Sequence, residues 1–93
     1  MNGKDKEKIF SRACKRAGIK CSIKLYAGTL IQVGPYTCVE VVAYQGKPYI
    51  QSHAYGFSKC SPRDKFNPDI GLAIALSRAA TDAAKKLAKE LEK

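Results

Sequence analysis

The residues best suited to chemistry lie between His53 and Arg78. His53 is the only histidine, Cys60 follows it by seven residues, and Asp64 is the nearest acid that could orient an imidazole. A Cys–His nucleophile needs such a third group, yet His53 falls in the middle of an alternating, strand-like run, and the spacing matches no nucleophile motif. No glycine-rich phosphate loop is present either. Cys14, Cys21, Cys38 and Cys60 are scattered without a Cys-x-x-Cys pair. A zinc site drawing on them and His53 would need ligands from separate elements, whereas structural zinc sites use tight paired spacing. The sequence therefore points away from catalysis, from a metal site and from a cofactor.

Binding chemistry is better represented. The loop that holds Ser61, Arg63, Asp64, Lys65 and Phe66 runs into Asn67-Pro68-Asp69, a helix start. Asn67 suits the cap, Pro68 the first helical position, and Asp69 the exposed amides of the first turn. Those amides form an anion site to which Arg63 or Lys65 adds charge-assisted bonds; alternatively, Asp64 and Asn67 only cap the loop and the helix. Arg78 stands apart, in the apolar segment Ile74-Ala-Leu-Ser-Arg-Ala-Ala80. It reaches outward along its stem, pairs with Asp82 one turn on, or points into a pocket holding an anion.

The charge balance widens the choice of partner. Lys and Arg number 17 against 8 Asp and Glu, a net charge of +9. That field attracts nucleic acid, nucleotides or acidic protein surfaces, or it marks a solvated lysine-rich surface. Lys4, Lys8, Arg12 and Lys15 or Arg16 recur at fourfold spacing, as a solvated helix face or a contact surface for phosphates. Lys85, Lys86 and Lys89 form a second basic group.

The elements that must position these groups follow from periodicity. Ile9, Phe10, Ala13, Cys14 and Ala17 share one face of a helix over residues 4–17, and Gly18 closes it. Ile19, Cys21, Ile23 and Leu25 alternate with polar residues as a half-buried strand. Ala27-Gly28 interrupts the pattern as a turn or bulge, leaving residues 20–33 as one kinked strand or two. Gly34-Pro35 is a turn. Tyr36 to Tyr44 is a strand rich in β-branched and aromatic residues; Gln45-Gly46 reads as a hairpin turn, and Lys47 to Phe57 returns, with Pro48 at a strand start or edge. Tyr26, Tyr36, Tyr44, Tyr49 and Tyr55 decorate these strands, as amphipathic packing residues or as rings that stack on a base. A last helix runs from Asn67 to about Leu91. Leu72, Leu76, Ala80, Ala83, Leu87 and Leu91 form its apolar stripe, which Ile70, Ala73 and Ala84 widen. Asp82–Lys86 and Lys86–Glu90 are spaced for surface pairs.

The expected fold is a single domain over residues 1–93, of α+β class. It has an N-terminal helix, three or four antiparallel strands and a long C-terminal helix, in the order α-β-β-β-α. The alanines of the last helix suit close packing on the sheet or on a second copy, and a homo-oligomer is expected. No apolar run approaches the roughly 18 residues of a membrane helix, and the N-terminus lacks the apolar stretch of a secretory signal. The expectation is a cytoplasmic protein with reduced thiols and no membrane partner.

Two resemblances bear on function. The helix–strands–helix order resembles a double-stranded-RNA-binding domain, in which a Lys-Lys-x-Ala-Lys cluster at the start of the second helix touches phosphates. The similar letters here are Lys85, Lys86, Ala88 and Lys89, about five turns beyond Asn67. The second resemblance covers about 20 of the 93 residues. Cys60-Ser-Pro-x-Asp-x-Phe66-Asn-x-x-x-Gly71-x-x-Ile74-Ala-x-x-Arg78-Ala79 resembles a segment of small phage-encoded proteins, some of which are similar to the first family of Thoeris anti-defence proteins. That family sequesters cyclic ADP-ribose-type signals and cyclic oligonucleotides made by bacterial immune systems. The resemblance implies a phage or prophage protein, acting in the host cytoplasm, that holds a nucleotide signal without turning it over. It casts Arg78 as a phosphate contact and Ser61–Phe66 as the lining of the ligand. The alternatives are a nucleic-acid binder with a double-stranded-RNA-binding-like fold and a protein inhibitor of a host defence complex.

Overall fold

The computed structural model describes residues 3–18, 23–46, 49–61, 63, 65 and 67–92. The elements are α1 (Gly3–Arg16), β1 (Lys24–Val33), β2 (Tyr36–Gly46), β3 (Tyr49–Lys59) and α2 (Pro68–Leu91). The order is the expected α-β-β-β-α, with three strands in one antiparallel sheet, β1-β2-β3. The candidate strand residues Ile19 and Cys21, and Pro48, lie outside the described residues. No helix among the described residues is long and apolar enough to cross a membrane.

Local chemistry sets the element ends. Gly18 adopts a left-handed φ of 69° after α1, and its N–H bonds to the Lys15 carbonyl at 3.1 Å, which closes the helix. Asn67 is extended, and its Oδ1 accepts from the amides of Asp69 (3.0 Å) and Ile70 (3.4 Å). Gly34, at φ 57°, turns β1 into β2. Residues 24–33 form one strand whose register shifts between Ala27 and Leu30, which resolves the choice between one strand and two. Gln45 and Gly46 are not a turn: they end β2, paired with Ile50 and Tyr49.

The core lies between one face of the sheet and α2. Val39, Val41 and Ala43 of β2 and Ala54 of β3 pack with Ala75, Leu76, Ala79, Ala80, Ala83 and Leu87 of α2. α1 packs on α2 and adds Ala13, with Ile9 and Phe10 alongside. The buried stripe of α2 is turned relative to the expectation. Ala75 and Ala79 lie at its centre, while Ile70 stays exposed. The alanine face is buried against the chain's own elements, so it is not the surface on which a second copy packs.

The reason is Gly56. A Cβ there would overlap the Ala75 carbonyl oxygen and lie 2.6 Å from the Ala79 amide nitrogen. The α2 backbone thus rests on β3 where both carry the smallest side chains. Ser58 Oγ donates to the Gly71 carbonyl at 2.7 Å, and Gln32 Nε2 to the Pro68 carbonyl at 3.0 Å, which ties the first turn of α2 to the sheet.

Gly56→Ala should therefore destabilise the fold by at least about 2–3 kcal/mol, read as a fall in Tm of roughly 10 °C or more. Gly46→Ala, which meets nothing within 4 Å, should melt within a few degrees of the parent. Equal melting of the two variants by circular dichroism would refute the close approach.

Candidate functional site

α1 packs on α2 so that part of the stripe at fourfold spacing, Lys8, Arg12 and Arg16, borders a groove. A cleft of about 420 Å³ between the helices is lined by Arg12 and Arg16 of α1 and by Ser77 and Arg78 of α2, over an apolar floor that includes Ile9 and Ile74. A second cleft of about 400 Å³ shares Arg16, Ser77 and Arg78 with the first and continues to the edge of β3. There it adds Tyr55, Gly56, Phe57, Thr81 and Asp82. Toward the start of α1 the groove extends past Lys8 and Arg12, beside Asp5 and Asp69.

Two of the three arginines are anchored. Arg16 Nη1 donates to Ser77 Oγ at 3.2 Å, and Arg78 Nη1 donates to the Phe57 carbonyl at 2.6 Å. A guanidinium carries five N–H donors in a fixed fork, so each anchored group is held in place while most of its donors remain for a ligand. Ser77 accepts from Arg16, which leaves its own O–H to donate. Thr81 Oγ1 is buried without a hydrogen-bond partner among the described residues, and Thr81 lines the same cleft. An unpaired buried hydroxyl costs about 1–3 kcal/mol.

Arg78 does not pair with Asp82. It belongs to a pattern along the free edge of β3. Arg78 bonds to the Phe57 carbonyl, and Lys86 Nζ bonds to the His53 carbonyl at 3.1 Å. Eight helical residues span about 12 Å and four strand residues about 13 Å, so cations two turns apart match carbonyls four residues apart. Lys86 is thereby taken up by the strand and makes no surface pair with Asp82.

The remaining candidate residues fall elsewhere. Ser61, Lys65 and Asn67 line a separate cleft of about 530 Å³ with Lys59, Cys60 and Gly71. Asn67 already occupies two of the first-turn amides, which reduces what that helix start can offer an anion. Arg63 is exposed, and its N–H bonds to Ser61 Oγ at 3.3 Å. Asp64 and Phe66 lie outside the described residues. Arg78 sits eleven residues into α2 from Asn67, about 16 Å along the helix, and lines a further cleft with Ser58 and Lys59, which also border the cleft of Ser61, Lys65 and Asn67. Lys4 and Lys15 are exposed and do not line the helix groove, and Lys85 and Lys89 lie exposed at the far end of α2. His53 and Cys60, seven residues apart on an extended strand, are separated by about 20 Å. Cys14 and Cys38 are free thiols, Cys60 Sγ donates to the Ser61 carbonyl at 3.5 Å, and burial pushes the Cys14 thiol up.

One cluster has no counterpart in the sequence reading. On the open face of the sheet His53 Nδ1 lies 3.2 Å from Glu40 Oε2. Glu40 stands opposite Tyr55 in the β2–β3 ladder and reaches the β1 irregularity, where a Cβ on Gly28 would collide with its carboxylate. The hydrogen bond from His53 holds the Glu40 carboxyl below its usual range; the Tyr55 hydroxyl and the Thr29 amide act in the same direction, against desolvation. The charge on Glu40, followed by its hydrogen bond, raises Tyr55.

No protein-family model and no curated protein matches the chain. The functional reading therefore rests on the groove itself.

Glu40 yields a pH prediction. A carboxyl held low in the folded state stabilises it above the ordinary carboxylate value of 4.5, and that stabilisation is lost as pH falls through the lowered value. Melting temperatures recorded from neutral to acid pH should fall less steeply for Glu40→Gln than for the parent. Parallel acid limbs would show that the cluster contributes nothing.

Proposed function

We propose that the chain binds an anionic nucleotide in the α1/α2 groove and holds it without turnover. The observation that carries this reading is the convergence of Arg12, Arg16 and Arg78, from two helices, on two contiguous clefts whose one acid is Asp82, with Asp5 and Asp69 farther along the groove. Arginine forks match phosphate oxygens in pairs. The Ser77 hydroxyl stands among them as a further donor, and Tyr55 and Phe57 at the β3 edge offer ring faces for a base. Apart from Asp82, the lining of these clefts consists of cations, hydroxyls and apolar surface, groups that bind. Cyclic nucleotide signals of bacterial immune systems are the ligands that the Cys60–Ala79 resemblance implies, and a phage or prophage protein sequestering such a signal is the specific form of this proposal. Arg12 and Arg16, which line clefts with Arg78, support placing the phosphate contacts in this groove.

Purified protein heated with cyclic di- and trinucleotides or ADP-ribose isomers should show a rise in Tm with at least one of them. Arg78→Ala should keep the parent's circular dichroism and weaken binding roughly 10- to 100-fold, the loss of a charge-assisted contact. A double-stranded-RNA binder with six or more phosphate contacts would lose orders of magnitude in affinity between low and moderate salt; a pocket closing on one nucleotide loses far less. Absence of any nucleotide shift, or steep salt dependence with tight duplex binding, overturns the proposal.

A further inference from the structure

The face of the sheet turned away from α2 is uncovered and aromatic. Strand alternation and the ladder registers place Tyr26, Tyr36, Tyr44, Tyr49, Tyr55 and Phe57 on it. Such rings bury well, yet Tyr49 and Phe57 each keep 63% of their surface exposed. The rings are not scattered. Tyr26, Tyr44 and Tyr49 form a row across all three strands, with centroids 5.7 and 6.2 Å apart. Val42 points to the same face and is buried, between its ladder partners Tyr26 and His53. At the other end of the sheet Lys59 Nζ lies 5.4 Å from the centroid of the Tyr36 ring. Phe57 and Tyr55 then lead over the β3 edge to Arg16 and Arg78.

We propose that this face is a stacking platform for single-stranded nucleic acid, whose backbone crosses the β3 edge to the arginine groove. Every base has a π-face, and exposed aromatic side chains take unstacked bases without sequence preference. A duplex cannot use the face, because its bases are already stacked and present only edges and phosphates. The charges suit a polyanion: Lys24 and Lys59 stand on this face, its acid Glu40 is engaged by His53, and the chain carries +9 overall. A second copy suits it poorly, since two such faces would oppose lysines without free acids to meet them. The row Tyr26–Tyr44–Tyr49 lies outside the groove, so its part in binding is tested separately from the nucleotide reading, with which the inference shares Arg78.

The chain has five tyrosines and no tryptophan, so its intrinsic emission reports the rings directly. Titration of the full chain with a dT or U dodecamer should quench that emission. Anisotropy of a labelled dodecamer should show binding weakened roughly 5- to 100-fold by Tyr26→Ala or Tyr49→Ala. Tyr26→Leu and Tyr49→Leu keep apolar bulk and remove only the ring; they should weaken binding similarly and serve if the alanine variants melt early. Both sets should leave cyclic-nucleotide shifts intact, whereas Arg78→Ala should impair both ligands. The proposal is overturned by absence of quenching, by full affinity in both leucine variants, by preference for duplex over single strand, or by a dimer in sedimentation that Tyr49→Leu dissociates.

Discussion

The rest of the structure depends on the absence of a side chain at Gly56. Because no Cβ stands there, the backbone of α2 settles onto β3 at Ala75 and Ala79. Arg78 and Phe57 are the sequence neighbours of that contact, one on each element. Their bond of 2.6 Å is thus a consequence of the approach: with a bulkier residue at position 56, the helix would stand off and the guanidinium would lose the strand carbonyl. The groove follows as well. α1 has no seat on the sheet and packs on α2, so Arg12 and Arg16 are placed by the helix that Gly56 admits.

The same approach manages a hazard. β3 is an edge strand, and its outward carbonyls are a template for pairing with another chain. Arg78 and Lys86, two turns apart, satisfy those of Phe57 and His53. The match works because helix and strand advance almost equally over eight and four residues. β1, at the opposite edge, is treated differently. Past its irregularity Gln32 still bonds to the first turn of α2, while Ile31 and Val33, paired with Cys38 and Tyr36, lie exposed on the open face.

Features governed by near neighbours were legible in the sequence. The Asn67-Pro68 start, the Gly18 stop and the alternation of Tyr36–Tyr44 each state their structure within a few residues. The orientation of α2 was not. Hydrophobic periodicity weights Ile70 and Leu72, but a helix pressed onto a glycine selects alanine, and alanine carries little weight in such a pattern. The Glu40–His53–Tyr55 cluster was hidden by register. A turn at Gln45-Gly46 would set Glu40 opposite Gln51, whereas the ladder sets it opposite Tyr55. Arg78 was visible as the charged residue among alanines, and Arg12 and Arg16 as part of a stripe. Their convergence depends on how α1 crosses α2, which no spacing within either helix encodes.

Tyr55 joins the two surfaces. Its ring stands on the open face beside Glu40 and also borders the cleft of Arg16 and Arg78. The carboxylate raises the phenol above its ordinary value of 10, and like any tyrosine it is neutral across the physiological range. Neutrality suits a ring beside an arginine cleft. A phenolate would compete with a phosphate for the guanidinium groups, whereas a neutral phenol offers a ring face and a hydroxyl without opposing the ligand's charge. Glu40 is itself negative, but His53 and the Thr29 amide hold it on the far side of the strand from the arginines. The sheet thus carries its one acid paired with His53, where it does not neutralise the groove.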